Sequence, residues 1–346
     1  MTDPHLSKRA EKSTAISMLK VAILASSFFI IFTYPISLLL GVYVMYMPQL
    51  GLSYLRHSTQ IYLISYMIAL PIPFKVSRAA LFAVLITIYL IFLIASAKLD
   101  RSVIEALHRS WRDISSLSGN WLLYMPMVSG MLLILIAALQ SLQEFVGIPT
   151  GAISFPNPYG GLLSLAYSPI MEEIGFRLTP IGTVTAIYLA RYGKPLNALL
   201  SVLWPDKGKE RQGLSTIRKD GFRAITKPEW IAIAVSSLLF GLIHYIAGGG
   251  WNIGKISSAA VAGTALALIY LWKGIHASIL LHWFFNYYSY VWDIAGMVDF
   301  QLFAGLNAPI YMLTLFLGFL GWIHLLLRTY RRLRRGSDLI ILKSAK

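Results

Sequence analysis

The chain has 346 residues, of which 57% are hydrophobic and only 13% charged, with a mean hydropathy of +0.65, a formal charge of +15 and no cysteine. Soluble domains carry about 25% charged residues, so much of this surface must face lipid. The missing cysteine excludes disulfides, thiolate metal sites and a cysteine nucleophile, and the grouping of the basic residues between apolar runs argues against a nucleic-acid partner.

The apolar runs are continuous rather than alternating, so the expected fold is all-α, a polytopic transmembrane helical bundle of about eight spans. In chain order the expected spans are Val21–Met47, Ala79–Ala97 and Trp121–Gln140. A fourth lies between Leu162 and about Ala190 and contains Pro169 and Pro180. Trp230–Ala247, Ser257–Trp272, His276–Trp292 and Ala308–Leu327 complete the set. Thr59–Phe74 is apolar but short, with Pro71 and Pro73 near its end, and reads as a ninth span or as a re-entrant or interfacial piece. Eight spans with both termini in the cytoplasm put 25 of the 30 lysines and arginines on the cytoplasmic side, as the positive-inside rule favours. The polar stretch Arg191–Lys227 is then a cytoplasmic loop, too short for a core of its own, with basic residues suited to anionic headgroups. The basic tail from Arg328 reads as a topology anchor.

Charge inside a span is costly, about 3 kcal/mol at a helix centre on insertion scales, and usually marks function. Here Glu172, Glu173 and Arg177 fall in the fourth span, His244 in the fifth, four residues after Phe240, and His282 with Asn286 in the seventh. Residues four apart share a helix face. Glu173 can therefore pair with Arg177, whereas Glu172 is turned about 100° away. That asymmetry is how one carboxylate becomes a general base and its neighbour an orienter. Three helices each carry one polar stripe, and the expectation is that the stripes converge on one pocket. Taken singly, each has a plain alternative: a structural ion pair, a packing histidine, or an asparagine joining helices.

The three stripes, in this order, resemble the motifs of the CAAX prenyl protease and bacteriocin-processing family of intramembrane proteases. They stand here as Glu172-Glu173-Ile-Gly-Phe-Arg177, Phe240-Gly-Leu-Ile-His244 and His282-Trp-Phe-Phe-Asn286, within about Leu162–Tyr290. Leu178 stands where members often have glycine, and the insertion 191–227 is long. The resemblance implies an intramembrane endopeptidase acting on a membrane-associated protein or peptide, prenylated in one substrate class. It implies catalytic residues Glu172, His244, His282 and Asn286, supported by Glu173, Arg177 and Phe240. Glu172 with His244 would activate water, and His282 with Asn286 would stabilise the oxyanion.

A glutamate mechanism without cofactor is favoured; the other reading is a divalent metal such as zinc on Glu172, His244 and His282. On this reading residues 1–160 form an N-terminal transmembrane region, 161–293 a catalytic core with the loop 191–228, and 294–346 the last span and tail. The expected partners are membrane lipids and the substrate, without nucleic acid, in a multi-pass integral membrane protein. The competing functions are a transporter or channel with a Glu/His proton relay, and a catalytically silent scaffold of the same fold.

Overall fold

A computed structural model of the protein describes residues 4–192, 198, 199, 201–247, 249–298 and 301–344; for 4–16, 301, 302, 304 and 331–344 it describes the backbone alone. The helices are α1 (Pro4–Tyr46), α2 (Gln49–Leu55), α3 (Arg78–Lys98), α4 (Val103–Arg112), α5 (Trp121–Phe145), α6 (Pro158–Glu173) and α7 (Pro180–Ala190). They continue with α8 (Pro205–Arg211), α9 (Ile217–Asp220), α10 (Lys227–Ile246), α11 (Gly254–Lys273), α12 (Ile275–Trp283), α13 (Ser289–Val298) and α14 (Gln301–Ser344).

Six described helical segments are long and apolar enough to cross a membrane: Ser17–Tyr46, Arg78–Lys98, Trp121–Phe145, Lys227–Ile246, Gly254–Lys273 and Gly305–Tyr330. Their outward faces carry large apolar side chains such as Phe32, Leu39, Leu238 and Phe319, each more than half exposed. Such a surface is stable only in lipid. The molecule is a helical membrane bundle, as expected. The fourth and seventh expected spans are helical too, but each is cut by one π-turn, Ile174–Leu178 between α6 and α7 and Phe284–Tyr288 between α12 and α13.

Without water between them, the helices gain contact by close approach, which small residues permit. The clearest crossing joins α5 and α14 at Gly130 and Gly318. A β-carbon on Gly318 would stand 2.2 Å from the Gly130 carbonyl carbon, so neither position has room for a side chain.

Thr59–Phe74 does not span. It lies in a β-hairpin, β1 (Ser58–Ser65) and β2 (Ile68–Ser77), paired antiparallel from Ser58↔Ser77 to Ser65↔Ile68. Pro71 and Pro73 deny a helix here, and Tyr66 and Met67 turn the chain with positive φ of 46° and 66°. This hairpin and an isolated bridge between Gly151 and Trp251 are the departures from an all-α fold among the described residues.

The loop 191–227 is more structured than expected, although 193–197 and 200 lie outside the described residues. α8 and α9 pack against the bundle end. Lys209 is not free for lipid headgroups: it is buried, 2.7 Å from Glu229 Oε2, and donates to the Ala224 carbonyl at 2.9 Å. Glu229 also accepts from Thr185 Oγ1 at 2.8 Å and completes the capping box that starts α10. At the same end Asp100 accepts from Lys273 Nζ at 2.9 Å and pairs with Arg218. Burial by itself raises the Asp100 carboxyl, but Lys273 and Arg218 outweigh it and hold the group below its ordinary range.

Two outcomes follow. A cysteine replacing the exposed Arg211 should react with an impermeant thiol reagent only once the cell interior is opened; labelling in intact cells would sink the eight-span arrangement. Gly208 is the wrong probe site, because a β-carbon there meets Ser201 Cβ at 2.1 Å. Asp100→Asn should leave Lys273 unpaired and cost about 3 kcal/mol at neutral pH, the low end for a broken buried pair. A depressed carboxyl stabilises above its unfolded pKa and stops doing so as pH falls through the folded value. The gap in melting temperature between wild type and variant should therefore close below about pH 4.

Candidate active site

The site is built where α6 opens. Pro180 has no N–H to give the Phe176 carbonyl, and the Thr179 N–H reaches back five residues to the Ile174 carbonyl at 3.0 Å rather than four. Two carbonyls leave the helical ladder. That of Gly175 accepts from the Met67 N–H at the hairpin tip, 3.1 Å, and from Thr179 Oγ1, 3.2 Å. That of Phe176 accepts from Ser236 Oγ on α10. The π-turn thus anchors the hairpin on one side and α10 on the other.

Further bonds seat the hairpin. Tyr66 N donates to Thr179 Oγ1 at 2.8 Å, and Tyr62 N to Tyr167 OH at 2.9 Å. A β-carbon on Gly175 would stand 2.1 Å from Ile64 Cγ2, so glycine is what lets the strand lie on the turn. Ile64 and Met67 pack on the cluster of Phe176, Phe240 and Ala259.

Glu173 and Arg177, both fully buried, pair at 3.0 Å as the spacing predicts. Glu173 has two further partners: His282 Nδ1 at 2.8 Å and the Ser278 hydroxyl. Arg177 donates from Nη2 to the Gly263 carbonyl of α11 at 3.2 Å and lies 4.2 Å over the Phe240 ring. Glu172 is turned away from this pair. Its Oε2 is 3.6 Å from His282 Nε2 and has no hydrogen-bond partner among the described residues.

His282 therefore stands between the two carboxylates. Because its Nδ1 donates to Glu173, Nε2 is the atom that faces Glu172. His244 is fixed in the same sense: its Nδ1 donates to the Phe240 carbonyl at 2.7 Å, leaving Nε2 outward. Phe240 joins the two rings, 4.5 Å from His244 and 5.7 Å from His282, and packs edge-on against Phe176 at 5.2 Å. Asn286 Nδ2 donates to Ser168 Oγ at 2.9 Å, one turn before Glu172 on α6.

All seven residues singled out in the sequence thus fall in one neighbourhood, but not in one shell. The histidine beside Glu172 is His282, whereas His244 is reached through Phe240, and Asn286 through Ser168. Three features escaped the sequence reading. Ser278 and Ser168 each stand four residues before a motif residue, on the same helix face, and that spacing was the signal that could have found them. The hairpin contact had no sequence signal.

Among the described residues no three of histidine, aspartate and glutamate gather closely enough to hold a metal ion. As placed, Glu172, His244 and His282 do not gather into the zinc set.

Fold and site together define a helical membrane protein with a buried carboxylate–histidine centre. Residues 155–288 match the model of a protease family, the type II CAAX prenyl endopeptidase Rce1-like family. That segment includes all seven residues. No curated protein and no solved structure matches the chain.

The two glutamates should separate in stability. Glu173→Gln leaves the Arg177 guanidinium unpaired in a fully buried site and should cost about 3–5 kcal/mol. Glu172→Gln should melt close to wild type in detergent, since the Glu172 Oε2 atom holds nothing in place. An earlier melt for Glu172→Gln than for Glu173→Gln would exchange the two roles.

Proposed function

We propose that this protein is an intramembrane endopeptidase that hydrolyses a peptide bond of a membrane-associated substrate, with Glu172 as general base. The observation that carries the reading is the Glu172–His282 pair, with the carboxylate oxygen uncommitted and the imidazole locked from behind by Glu173. A water beside Oε2 and Nε2 directs one O–H hydrogen bond to each. Glu172 takes its proton as the oxygen attacks the scissile carbonyl, and returns it to the leaving amine. Glu173, held by Arg177 and Ser278, keeps the His282 ring in one tautomer and orientation. Its role is positioning.

The Asn286 amide is the neutral donor assigned to the developing oxyanion, at the expense of its bond to Ser168. His244 stabilises the same charge through Nε2 when protonated. The hairpin tip closes the centre over Phe176 and Phe240, which keeps bulk water from the reacting carbonyl. A prenylated C-terminal peptide is the substrate class to try first, by the matched family. A proton-relay transporter is less favoured. Such a path needs ionisable residues spaced through the bundle, whereas the mid-span carboxylates Glu172 and Glu173 are neighbours on α6, and Glu144 and Glu229 stand at the ends of their helices.

The test is cleavage of membrane-embedded peptides by purified protein. Glu172→Gln should lower kcat by at least about 100-fold, the contribution of a general base, while remaining folded. Activity should survive exhaustive chelation. Near wild-type turnover by Glu172→Gln, or loss on chelation with recovery on adding zinc, would refute the mechanism.

A further inference from the structure

Away from this centre, a groove of about 1070 Å³ runs between α5, α11 and α14 at the bundle end that carries 99–120 and 201–227. It backs onto the face of α11 opposite the one whose Gly263 carbonyl meets Arg177. Its wall is layered. On α5, which runs inward from this end, the lining passes from Tyr124 to Val128, Met131 and Leu135, about 16 Å along the axis. On α11, which runs outward, it passes from Leu268 and Ile269 to Trp272 and then Lys273. On α14, also outward, it passes from Trp322 and Leu325 to Arg328.

On α5 and α11 the deep side chains are aliphatic, with Tyr124 and Trp272 nearer the boundary, and α11 and α14 end at the rim in the cations Lys273 and Arg328. Tyr124 and Trp272 pack edge-on at 5.9 Å near the boundary, and Trp322, deeper in the groove, donates from Nε1 to the Met131 carbonyl at 3.0 Å. That order is the order of one bilayer leaflet, from acyl chain through interface to headgroup.

The rim carries surplus positive charge. Arg101, Lys219, Arg223 and Arg328 line it together with Arg218 and Lys273, against two carboxylates, Asp113 and Asp220. Asp100 occupies Lys273 and Arg218. Asp113 caps the turn at Ser115, and Asp220 accepts from Ser215 and Thr216. Lys219, Arg223 and Arg328 have no ion pair among the described residues.

We infer that this groove is a binding site for one anionic phospholipid, its phosphate on Arg223 and Arg328 and its acyl chains along Val128, Met131, Leu135 and Leu268. A zwitterionic lipid satisfies the wall equally but brings its own cation to a rim that already has too many. Such a lipid would tie α9 and the 221–224 turn to α5 and α14, a contact the protein otherwise makes only sparsely. This inference does not rest on the proposed catalysis.

Full-length protein in detergent, titrated with phosphatidylglycerol or phosphatidylcholine and followed by native mass spectrometry and thermal melting, tests it. One phosphatidylglycerol should be retained in preference to phosphatidylcholine and should raise the melting temperature. Arg223→Ala/Arg328→Ala should weaken that retention roughly 10- to 30-fold, at about one kcal/mol per basic residue near a membrane surface. Its melt without anionic lipid should match wild type. Should the double variant fail to fold, Leu268→Trp, which fills the slot, should lose the lipid with the rim intact. Equal retention of both lipids overturns the inference, as does retention that survives both variants. So does displacement of bound lipid by a prenylated peptide, which would give the groove to the substrate.

Discussion

Everything at the centre of this molecule depends on one buried carboxylate. Glu173 has no contact with solvent and meets Arg177 at 3.0 Å, His282 Nδ1 at 2.8 Å and the Ser278 hydroxyl. An ionised carboxylate deep in a bundle is tolerated only when it is both paired and hydrogen-bonded. Those partners come from the π-turn that follows and from α12, so satisfying Glu173 draws both segments onto the end of α6. The Arg177 guanidinium then extends the network to the Gly263 carbonyl of α11 and to the Phe240 ring of α10. Glu172, one residue earlier and turned away, is left beside His282 with an oxygen committed to nothing among the described residues. The division between an orienting and a reacting carboxylate is a direct result of helical geometry.

The π-turns explain how two helices serve as both membrane element and active-site wall. Along a regular α-helix each carbonyl already accepts one backbone N–H. At Ile174–Leu178 the missing N–H of Pro180 and the widened turn free the Gly175 and Phe176 carbonyls, and the hairpin and α10 take them up. A second π-turn follows His282, at Phe284–Tyr288, where Ser289 Oγ donates back to the Phe284 carbonyl at 2.7 Å. Single π-turns inside helices recur at functional sites, since they turn side chains out of register with the helix on either side. The helices that carry Glu172 and His282 each have one, and both turns lie within or against a motif.

A different polar economy holds the bundle end. Lys209–Glu229 and Asp100–Lys273 are buried pairs that fasten a loop and a turn to helix termini. They carry no chemistry, although by composition they resemble the pairs of the active site. What distinguishes them is completeness. Glu229 is filled by Lys209, Thr185 and the capping contacts of Thr226. Glu172 alone among the carboxylates discussed keeps a buried oxygen unbonded within the described residues.

The sequence by itself determined the helical membrane class, because runs of apolar residues have no other stable form in lipid. It also determined the Glu173–Arg177 pair, because a spacing of four along a helix is local geometry. The tertiary structure alone decided which histidine stands beside Glu172, since that depends on how α12 packs on α6. It decided that Thr59–Phe74 is a hairpin laid over the centre: the prolines excluded a helix, but only the freed carbonyl of Gly175 says where the turn docks. It decided that Lys209 and Lys273 are buried rather than exposed to headgroups, because their partners, Glu229 and Asp100, are distant in the chain. Contacts within one turn of helix are written in the sequence, whereas those between helices wait on packing, where a shift of one residue moves each side chain by about 100°.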